Sequence, residues 1–326
     1  MSDSVLVTGA AGFVGQHIVS RLVEDGHDVT AVDIKQDTPE SYSEHVGAGV
    51  DYIRGSIIHK EFIDNVLFPF PEVYDKVFHL AAIVGVDRYM DPEDPLYITN
   101  VNINGTRYLL EKIRGTDTHF LYTSTSEVYG KNAEVPWSEE DNQVLGPPTI
   151  SRWGYSSMKT VCEQMIHMLD ETDPDITTTV ARPFNLYGPH QRPKFVIPKF
   201  VDMVLDGEAP TVYGDGTQKR CFTYIGDFVD GIIEASERDP ETPDAYNFGG
   251  TKETEIRDLA EMVVDAAGLD KSPVYVDPEE VYDAEYEQPD RRIPDTSRAK
   301  EYLDWEATTP VREGVERTIQ AERRGE

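Results

Sequence analysis

A strand, a glycine turn and the start of a helix occur within the first fifteen residues of the chain, and this order constrains the fold most strongly. The apolar run Val5-Leu6-Val7 leads into Thr8-Gly9-Ala10-Ala11-Gly12-Phe13-Val14-Gly15, and a helix-like stretch follows. Backbone N–H groups at a helix start face a bound anion, and the helix dipole there favours negative charge. We expect Gly9 to allow a tight turn, Gly12 to let a pyrophosphate approach, and Gly15 to let the helix pack closely. The pattern predicts a dinucleotide site at the end of the first strand.

An acidic residue ends the second predicted strand. The run Asp28-Val29-Thr30-Ala31-Val32 is followed by Asp33, which lies eighteen residues after Gly15. A carboxylate at this strand tip suits the two ribose hydroxyls of NAD and repels the 2′-phosphate of NADP. The alternative is an ordinary βαβ turn with a surface aspartate. We favour an NAD site, because the glycine turn and Asp33 have the order and spacing that such a site needs.

The first half of the chain alternates strand-like and helix-like segments. Strands are predicted at 5–7, 29–32, 52–53, 76–82, 119–123 and 176–180, and helices at about 99–113 and 155–169. This alternation predicts an α/β fold with a doubly wound parallel sheet of the Rossmann type. Prolines then crowd residues 183–198, and turn-rich stretches follow at 213–216 and 289–294, which predicts a smaller C-terminal α/β lobe. The predicted boundaries are 1–182 plus about 224–252 for the sheet domain, and 183–223 plus 253–326 for the lobe.

Charge excludes one class of partner. The 326-residue chain has 61 acidic and 30 basic residues, a formal net charge of −31 that is spread along its length. Nucleic-acid binding needs the opposite sign of charge, so we expect no nucleic-acid partner. Charge of this size is associated with halophiles, which suggests a source with high internal salt. Thermal melts in low and in molar salt test this hypothesis, and equal stability in both would contradict it.

Membrane, disulfide and metal classes are not favoured either. No apolar segment is long enough to span a membrane, and residues 1–4 lead straight into the first strand, so we expect no membrane anchor and no signal peptide. The two cysteines, Cys162 and Cys221, are too few for a disulfide framework, and a reduced cytoplasmic setting fits them. No histidine or cysteine cluster has metal-ligand spacing, so no metal is predicted.

Tyr155 and Lys159 lie four residues apart, and on a helix their side chains share one face. A neighbouring cation stabilises phenolate and lowers the pKa of a tyrosine from about 10, so Tyr155 is a candidate general base. Taken alone, this spacing also describes a surface pair. The hydroxyl cluster Thr123-Ser124-Thr125-Ser126 adds weight, because it ends a strand at the carboxyl edge of the sheet, where open α/β folds bind ligands.

These features resemble the extended short-chain dehydrogenase/reductase family, whose members modify nucleotide sugars, and the resemblance covers nearly the whole chain. The matching motifs are Thr8 to Gly15, Asp33, His79 to Ala82, Asn102 to Thr106, Ser124 to Gly130, Tyr155 to Lys159, Arg182 to Asn185, Tyr187 to Pro189, Tyr213 to Arg220, Tyr224 to Asp227 and Arg292 to Asp295. One departure is Ser56, where the family usually has an aspartate near the adenine. The resemblance implies NAD as cofactor, a UDP-linked nucleotide-sugar substrate bound in the C-terminal lobe, and a homodimer formed through a helix bundle that includes the Tyr155 helix.

The resemblance also implies roles for single residues. Thr125 would hydrogen-bond the sugar 4-hydroxyl, Tyr155 would take its proton, and Lys159 would hold the nicotinamide ribose. The implied cofactor contacts are Gly9, Ala11, Gly12, Phe13, Val14, Asp33, Ser56, Ile57, Leu80, Ala81, Ala82, Asn102, Thr123, Tyr155, Lys159 and Pro183. The implied substrate contacts are Asn185 and Arg220 at the phosphates, together with Tyr89, Arg152, Tyr213 and Arg292. In this family NAD removes hydride from C4 of the sugar and leaves a 4-keto intermediate.

The fate of that keto sugar separates the subfamilies. A 4-epimerase turns the ketone over and returns the hydride. A 4,6-dehydratase uses an Asp-Glu pair after the threonine, and Ser126-Glu127 stands here instead, which argues against dehydration. A decarboxylase acts on a glucuronosyl group, and it needs a group that recognises the carboxylate and a proton donor for the enolate.

Four positions favour decarboxylation. The motif Thr125-Ser126-Glu127 resembles that of UDP-glucuronate decarboxylases, and its serine and glutamate join the candidate catalytic residues. Tyr89, Arg152 and Arg292 fall where such decarboxylases carry site residues. Each also has a simpler explanation, namely ordering of the loop for Glu127, packing for Tyr89, a surface position for Arg152, and a grip on phosphate for Arg292. Some epimerase-like sequences also carry Ser-Glu before Val-Tyr-Gly. The run Ile83-Val84-Gly85-Val86 is more typical of epimerases.

The sequence therefore predicts an NAD-dependent nucleotide-sugar enzyme. UDP-glucuronate decarboxylation is favoured, and 4-epimerisation of a UDP-sugar is the alternative. A 4,6-dehydratase and a non-catalytic NAD-binding scaffold are less favoured, the scaffold because it has no need of Thr125, Tyr155 and Lys159.

Overall fold

The computed structural model of the protein describes residues 2–35, 42, 46–69, 73–90, 93–277 and 291–324. The strands in this part are β1 Ser4–Thr8, β2 Asp28–Asp33, β3 Val50–Arg54, β4 Lys76–His79, β5 His119–Thr123, β6 Thr177–Pro183, β7 Leu186–Tyr187, β8 Thr211–Tyr213, β9 Lys219–Cys221, β10 Thr223–Tyr224, β11 Ala245–Phe248, β12 Glu253–Glu255 and β13 Val274–Val276. A seven-stranded sheet has the order β11-β6-β5-β4-β1-β2-β3. Its pairings from β3 to β6 are parallel, which confirms the predicted doubly wound α/β fold.

The strand order reverses between β1 and β4, which lie side by side at the centre of the sheet. Val5, Leu6 and Val7 of β1 are completely buried, as expected of a parallel strand covered on both faces. In open α/β sheets, ligands bind beyond the carboxyl ends of the strands at such a reversal. The residues that follow Thr8 and His79 therefore lie where a ligand is expected.

Helices cover the sheet and build its core. The helices are α1 Phe13–Glu24, α2 Lys60–Phe62, α3 Val86–Met90, α4 Pro95–Thr99, α5 Thr106–Ile113, α6 Gly154–Asp170, α7 Val196–Leu205, α8 Ile225–Ser236, α9 Ile256–Ala267, α10 Ser297–Leu303 and α11 Val311–Arg324. Leu109 of α5 and Ile166 of α6 pack with Val77 and Phe120 of the sheet in one hydrophobic cluster. Burial of such side chains is the main favourable contribution to folding.

The helix predicted at about 99–113 is interrupted. A π-helical turn, Asn100–Gly105, separates α4 from α5. A Cβ atom added at Gly105 would lie 2.4 Å from Cδ1 of Ile57, so glycine allows the close approach of this turn to Ile57. Local π turns of this kind occur frequently at functional sites, and this one carries Asn102, a predicted cofactor contact.

The chain divides into two compact units. The first comprises 1–130, 143–182 and 232–246, and the second comprises 131–142, 183–231 and 247–326. Compared with the predicted division, 131–142 belong to the second unit, and the segment that returns to the first is 232–246 instead of about 224–252. The predicted turn at 289–294 begins outside the described residues, which resume at 291.

The second unit has its own hydrophobic cluster. Phe200 of α7, Val263 of α9 and Ile319 of α11 are almost completely buried in it. Small two-stranded sheets accompany these helices, with β7 beside β10, β8 beside β13 and β9 beside β12. Within the described residues, no helix of either unit combines the length and apolar character needed to cross a membrane.

Candidate active site

The glycine turn has the geometry expected of a phosphate loop. Gly9 has a φ of +74°, and a Cβ atom added there would lie 2.7 Å from the backbone nitrogen of Ala81. A Cβ atom at Gly15 would lie 2.3 Å from the Gly9 carbonyl oxygen, so Gly15 lets α1 pack against the turn. Helix α1 begins at Phe13 with no side-chain cap at Gly12 and no acidic residue in its first turn. The backbone N–H groups of its first turn therefore suit an anion.

Asp33 lies at the end of β2 and contacts the same turn. One carboxylate oxygen accepts a hydrogen bond from the Ala11 N–H at 3.0 Å, and the other accepts one from the Lys35 N–H at 3.1 Å. Each oxygen retains a second lone pair, which suits a ribose hydroxyl. The residues present therefore fit a dinucleotide, with Gly12, Phe13 and Val14 at the pyrophosphate and Asp33 at the ribose.

Asn102 and Tyr89 fix the loop that follows β4. The Ile83 N–H donates to Oδ1 of Asn102 at 2.8 Å, and Nδ2 of Asn102 donates to the Ile83 carbonyl at 3.1 Å and to the Tyr89 hydroxyl. The Tyr89 hydroxyl donates to the Ile83 carbonyl at 2.9 Å. Tyr89 is only 4% exposed, and its polar atom is engaged by this loop. Its hydroxyl thus holds the loop after β4, and its ring lies next to that of Tyr155 at a centroid distance of 5.5 Å.

Five of the predicted cofactor contacts follow β4 or β3 closely in the chain. The Leu80 N–H donates to the Thr8 carbonyl at 3.1 Å, and the Ala81 N–H lies 3.4 Å from the Thr8 hydroxyl. Ala82 follows directly. Ser56 and Ile57 follow β3, and Ile57 is 4% exposed. Pro183 ends β6 and lies in the second unit.

Thr125, Tyr155 and Lys159 are brought together in the first unit. Thr125 follows β5 and caps a short 3₁₀ turn, Ser126–Tyr129, by accepting from the Glu127 N–H at 3.2 Å. Tyr155 lies in the first turn of α6, and the Thr125 hydroxyl lies close enough to its phenol to favour the phenolate. Nζ of Lys159 lies 5.9 Å from the centre of the Tyr155 ring and donates to the Thr123 carbonyl at 2.7 Å. The structure thus groups the three side chains at the end of β5, and Ser126, 4% exposed, directly follows Thr125.

The expected lowering of the Tyr155 pKa is not found. Burial raises the pKa of Tyr155 well above 10, the neighbouring Tyr89 phenol and the Glu127 carboxylate add to the rise, and only the Thr125 hydroxyl lowers it. The prediction failed because the pair is buried, whereas the sequence argument considered charge alone. Burial likewise lowers the pKa of Lys159 to about 8, against the opposing effects of Cys162 and Glu163.

Glu127 and Arg152 form an ion pair beside this cluster. Nη1 of Arg152 donates to Oε2 of Glu127 at 2.9 Å, and the side chains are 1% and 16% exposed respectively. Arg152 lies in the short 3₁₀ turn Ser151–Trp153, with its guanidinium 4.6 Å from the centre of the Trp153 ring. The surface position considered for Arg152 is therefore wrong. This pair gives Glu127 a fixed place two residues after Thr125.

The second unit holds the remaining predicted substrate contacts. Asn185, with a φ of +37°, donates from Nδ2 to the Cys221 carbonyl at 2.7 Å. Arg220 lies on β9 and donates to the Lys219 carbonyl at 2.7 Å. The Tyr213 hydroxyl accepts from Nζ of Lys199 at 2.8 Å, and Arg292 is 8% exposed. Asn185 and Arg220 are thus linked through the strand that carries both Arg220 and Cys221.

Two further groups have no role among the predicted site residues. Glu163 lies four residues after Lys159 on the same face of α6. The four-residue spacing of Tyr155, Lys159 and Glu163 is the sequence pattern that could have identified it. His79 is completely buried between the hydroxyls of Thr8 at 2.7 Å and Thr106 at 2.9 Å. Burial, with the charge of Lys159, lowers the pKa of His79 to about 3. Among the described residues, no three acidic, histidine or cysteine side chains form a group able to hold a metal ion.

Comparisons with known proteins give the class to which this fold and site belong. A model of the GDP-mannose 4,6-dehydratase family matches residues 6–318. UDP-N-acetyl-α-D-glucosaminuronate decarboxylase of Bacillus cytotoxicus is 34% identical over 98% of this chain and 98% of its own. UDP-glucuronic acid decarboxylase 1 of Danio rerio is 32% identical over 97% of this chain and 72% of its own. The crystal structure of UDP-glucuronic acid 4-epimerase from Bacillus cereus, in complex with UDP-glucuronic acid and NAD, has a TM-score of 0.80 and 26% identity over 99% of each chain.

The fold and the grouped threonine, tyrosine and lysine define an enzyme of the extended short-chain dehydrogenase/reductase class. The chain belongs to the GDP-mannose 4,6-dehydratase family within that class, as the family model and the first relative show. The resemblance to nucleotide-sugar-modifying enzymes that the motifs predicted is confirmed.

Proposed function

We propose that the protein is an NAD-dependent decarboxylase of UDP-glucuronate or a closely related UDP-hexuronate. The grouping of Thr125, Tyr155 and Lys159 supports the oxidation that this family shares. The ion pair between Glu127 and Arg152 is the observation that favours decarboxylation. The two relatives described above, at 34% and 32% identity, are named as decarboxylases of UDP-uronates.

NAD, when bound, accepts hydride from C4 of the sugar and can return it. The backbone of Gly12, Phe13 and Val14 would hold its pyrophosphate, and Asp33 would hold its adenine ribose. Lys159 has two N–H groups besides the one directed to the Thr123 carbonyl, and these suit the nicotinamide ribose.

Tyr155 is proposed to accept the proton of the sugar 4-hydroxyl. Thr125 assists in two ways, because its hydroxyl favours the phenolate and can also bond the same sugar oxygen. Thr125, Tyr155 and Lys159 are each 9% exposed or less, so the proton moves between groups held in place by packing. These residues serve decarboxylation and epimerisation equally.

Glu127 distinguishes the two reactions. Its charge raises the pKa of Tyr155 and so opposes the first proton transfer. A group that hinders the shared step is expected only where a later step needs it. Arg152, 1% exposed, holds Glu127 in place. Because the Glu127 charge opposes the proton transfer that accompanies oxidation, we infer that Glu127 serves a step after the ketone has formed.

In that later step the bond between C5 and C6 breaks, carbon dioxide leaves, and its electron pair enters the enolate of the 4-ketone. The net reaction consumes one proton, and we assign to Glu127, whose side chain is 16% exposed, the role of taking this proton from solvent and passing it to C5 of the enolate. Tyr155 gives its proton back to the C4 oxygen, where bound NADH would supply the hydride that restores C4, so the cofactor would end each cycle as NAD. The product is a UDP-pentose.

NMR of the purified protein with NAD and UDP-glucuronate labelled with ¹³C at C6 tests this proposal. We expect the label to appear as carbon dioxide and bicarbonate, and Tyr155→Phe serves as the inactive control. Parallel samples contain UDP-N-acetylglucosaminuronate and UDP-glucose. A galacto isomer that retains C6 would contradict decarboxylation and assign the protein as a 4-epimerase.

The 4-epimerase is the second candidate. It is supported by the overall likeness to the UDP-glucuronic acid 4-epimerase structure, which extends over 99% of both chains. The loop residues Ile83 and Val84 also match the sequence pattern of epimerases. The same NMR experiment separates the two reactions.

We also propose that the protein is a homodimer through α6. Val161 and Met168 on one face of this helix are 40% and 58% exposed, although both are apolar. They lie two helical turns apart and form one stripe. Light scattering of the protein as it elutes from a size-exclusion column tests the proposal. A monomer at micromolar concentration would contradict it.

A further inference from the structure

A buried ion pair lies one helical turn beyond Lys159. Arg182, at the end of β6, donates from Nη2 to Oε2 of Glu163 at 2.7 Å and from Nε to Oε1 at 3.1 Å. Its third contact is from Nη1 to the Tyr129 hydroxyl at 2.9 Å. Glu163 is 2%, Arg182 5% and Tyr129 0% exposed. The guanidinium is thus bidentate on one carboxylate and fully enclosed.

Stability alone does not account for this pair. Removing two charges from water is costly, and apolar residues of similar volume often replace a buried ion pair without loss of stability. The pair instead joins three elements of the first unit that carry site residues. Glu163 is on α6 with Tyr155 and Lys159, Arg182 ends β6, and Tyr129 ends the 3₁₀ turn that begins at Ser126.

The position of Glu163 also matters electrostatically. Tyr155, Lys159 and Glu163 recur every four residues, so Glu163 lies one helical turn beyond Lys159 on the same side of α6. Arg182 keeps this carboxylate hydrogen-bonded through both oxygens. Glu163 and Cys162 are the two groups that oppose the lowering of the Lys159 pKa by burial, and the result is a pKa of about 8.

We propose that the Glu163–Arg182 pair is a positioning device for hydride transfer. Glu163 keeps Lys159 cationic in its buried place, and Arg182, through Tyr129, fixes the turn that carries Thr125 and Glu127. The inference rests on the proposed function only for the oxidation step, which decarboxylation and epimerisation share. Glu163, Arg182 and Tyr129 are positioning residues, since they act through Lys159 and through the turn.

Titration of Lys159 tests the electrostatic part without any substrate. The purified protein, labelled with ¹⁵N at the lysine side chains, is followed by NMR over a range of pH, and Lys159→Arg identifies the signal. We expect Lys159 to lose its proton at a lower pH in Glu163→Gln than in the unmodified protein. Because this measurement needs no turnover, its outcome stands even if the proposed reaction is wrong.

The pH dependence of kcat tests the consequence for catalysis. Loss of the Lys159 charge shifts the alkaline limb of the profile to lower pH in Glu163→Gln. We expect kcat at about pH 8.5 to fall about tenfold relative to the unmodified protein, and to change less than about threefold at about pH 6.5. Glu111→Gln, which removes an exposed carboxylate on α5, is the matched control and should leave the profile unchanged.

Two further variants keep the proposal falsifiable. Glu163→Gln leaves Arg182 buried without its partner, so the double variant Glu163→Gln with Arg182→Met replaces both charges by neutral side chains of similar length. Lys159 should still titrate at a lower pH than in the unmodified protein, but with a smaller shift than in Glu163→Gln alone, because loss of the Arg182 charge favours the charged lysine. An unchanged titration and an unchanged pH profile in a folded double variant would overturn the role of Glu163.

Tyr129→Phe tests the mechanical part separately. It removes the hydrogen bond from Arg182 and leaves Glu163 and Lys159 intact. We expect a severalfold lower kcat, an unchanged KM and an unchanged titration of Lys159. A kcat equal to that of the unmodified protein would overturn the role assigned to Arg182 and Tyr129.

Discussion

The Tyr155 cluster of the first unit and the Arg291–Glu253 ion pair of the second unit differ in exposure. Lys159 is 3% exposed, and burial lowers its pKa to about 8. In the second unit, the ion pair between Arg291 and Glu253 joins side chains that are 54% and 23% exposed. Water screens the charges of the exposed Arg291–Glu253 pair. The buried charges around Tyr155 are screened less, so they act more strongly on a nearby proton. Changes in the first unit should therefore alter kcat, and changes in the second should alter KM.

Replacement of Tyr155 by phenylalanine gives the largest expected effect. The ring is kept beside Tyr89, so packing is preserved while the proton acceptor is lost. We expect kcat to fall by about 10³-fold, the range typical of a lost general base. Calorimetric binding of UDP-glucuronate in the presence of NAD should change less than about threefold. Activity within about tenfold of the unmodified protein would show that Tyr155 is not the base.

Glu127→Gln is expected to have the next largest effect. The amide still accepts a hydrogen bond from Arg152, so the turn remains in place, but proton transfer to the enolate is lost. We expect product formation to fall about 10²-fold with little change in nucleotide binding. NADH formation in a single turnover should persist, because oxidation does not need Glu127. Equal losses in NADH and product would assign Glu127 to the shared step instead.

The first unit could largely be predicted from the sequence because its motifs follow the strands. Gly9, Asp33 and Thr125 stand directly after predicted strands, so their place at one edge of the sheet followed from the topology. The spacing of Tyr155 and Lys159 fixed their common face. Burial could not be predicted in the same way, and it reverses the expected shift in the pKa of Tyr155.

The sequence motifs could not predict contacts between residues that are distant in sequence. Arg152 and Glu127 lie 25 residues apart, and their contact depends on how the short turn before α6 folds. Arg182 and Glu163 belong to a strand and a helix that periodicity identified separately. The short strands of the second unit give no periodic signal, so the link between Asn185 and the Cys221 carbonyl could not be predicted either.

Arg220→Ala tests the second unit and should act on binding. Loss of one phosphate contact costs about tenfold in affinity, so we expect KM for the UDP-sugar to rise about tenfold while kcat changes less than about threefold. Arg291→Ala, which breaks an exposed pair with Glu253, is the control and should change KM less. A fall in kcat at constant KM would contradict the expectation that changes in the second unit alter substrate binding and leave the reaction rate unchanged.

Acid should destabilise the protein through the first unit, and this is the smallest expected effect. Burial lowers the pKa of His79 and of His119 to about 3, and the only histidine in the residue ranges of the second unit is His190. Because these folded pKa values lie below the unfolded value of about 6.5, the stability they permit is present above pH 6.5 and is lost progressively as pH falls towards 3. His167 behaves oppositely, since Asp244 raises its pKa, and its contribution is complete below pH 6.5 and lost as pH rises through the folded pKa.

Urea unfolding measures this balance. Between about pH 7.5 and 6.0 we expect the free energy of unfolding to fall by about 0.8 kcal/mol for each of the two buried histidines. His119→Gln can still accept and donate hydrogen bonds to Thr179 and Ser236 but cannot titrate, so it should remove about half of the decrease. His59→Gln, at an exposed position, should remove none of it. If the free energy of unfolding of His119→Gln falls as much between these pH values as that of the unmodified protein, acid destabilises the protein through other groups. The buried histidines of the first unit would then not be the cause of the acid sensitivity.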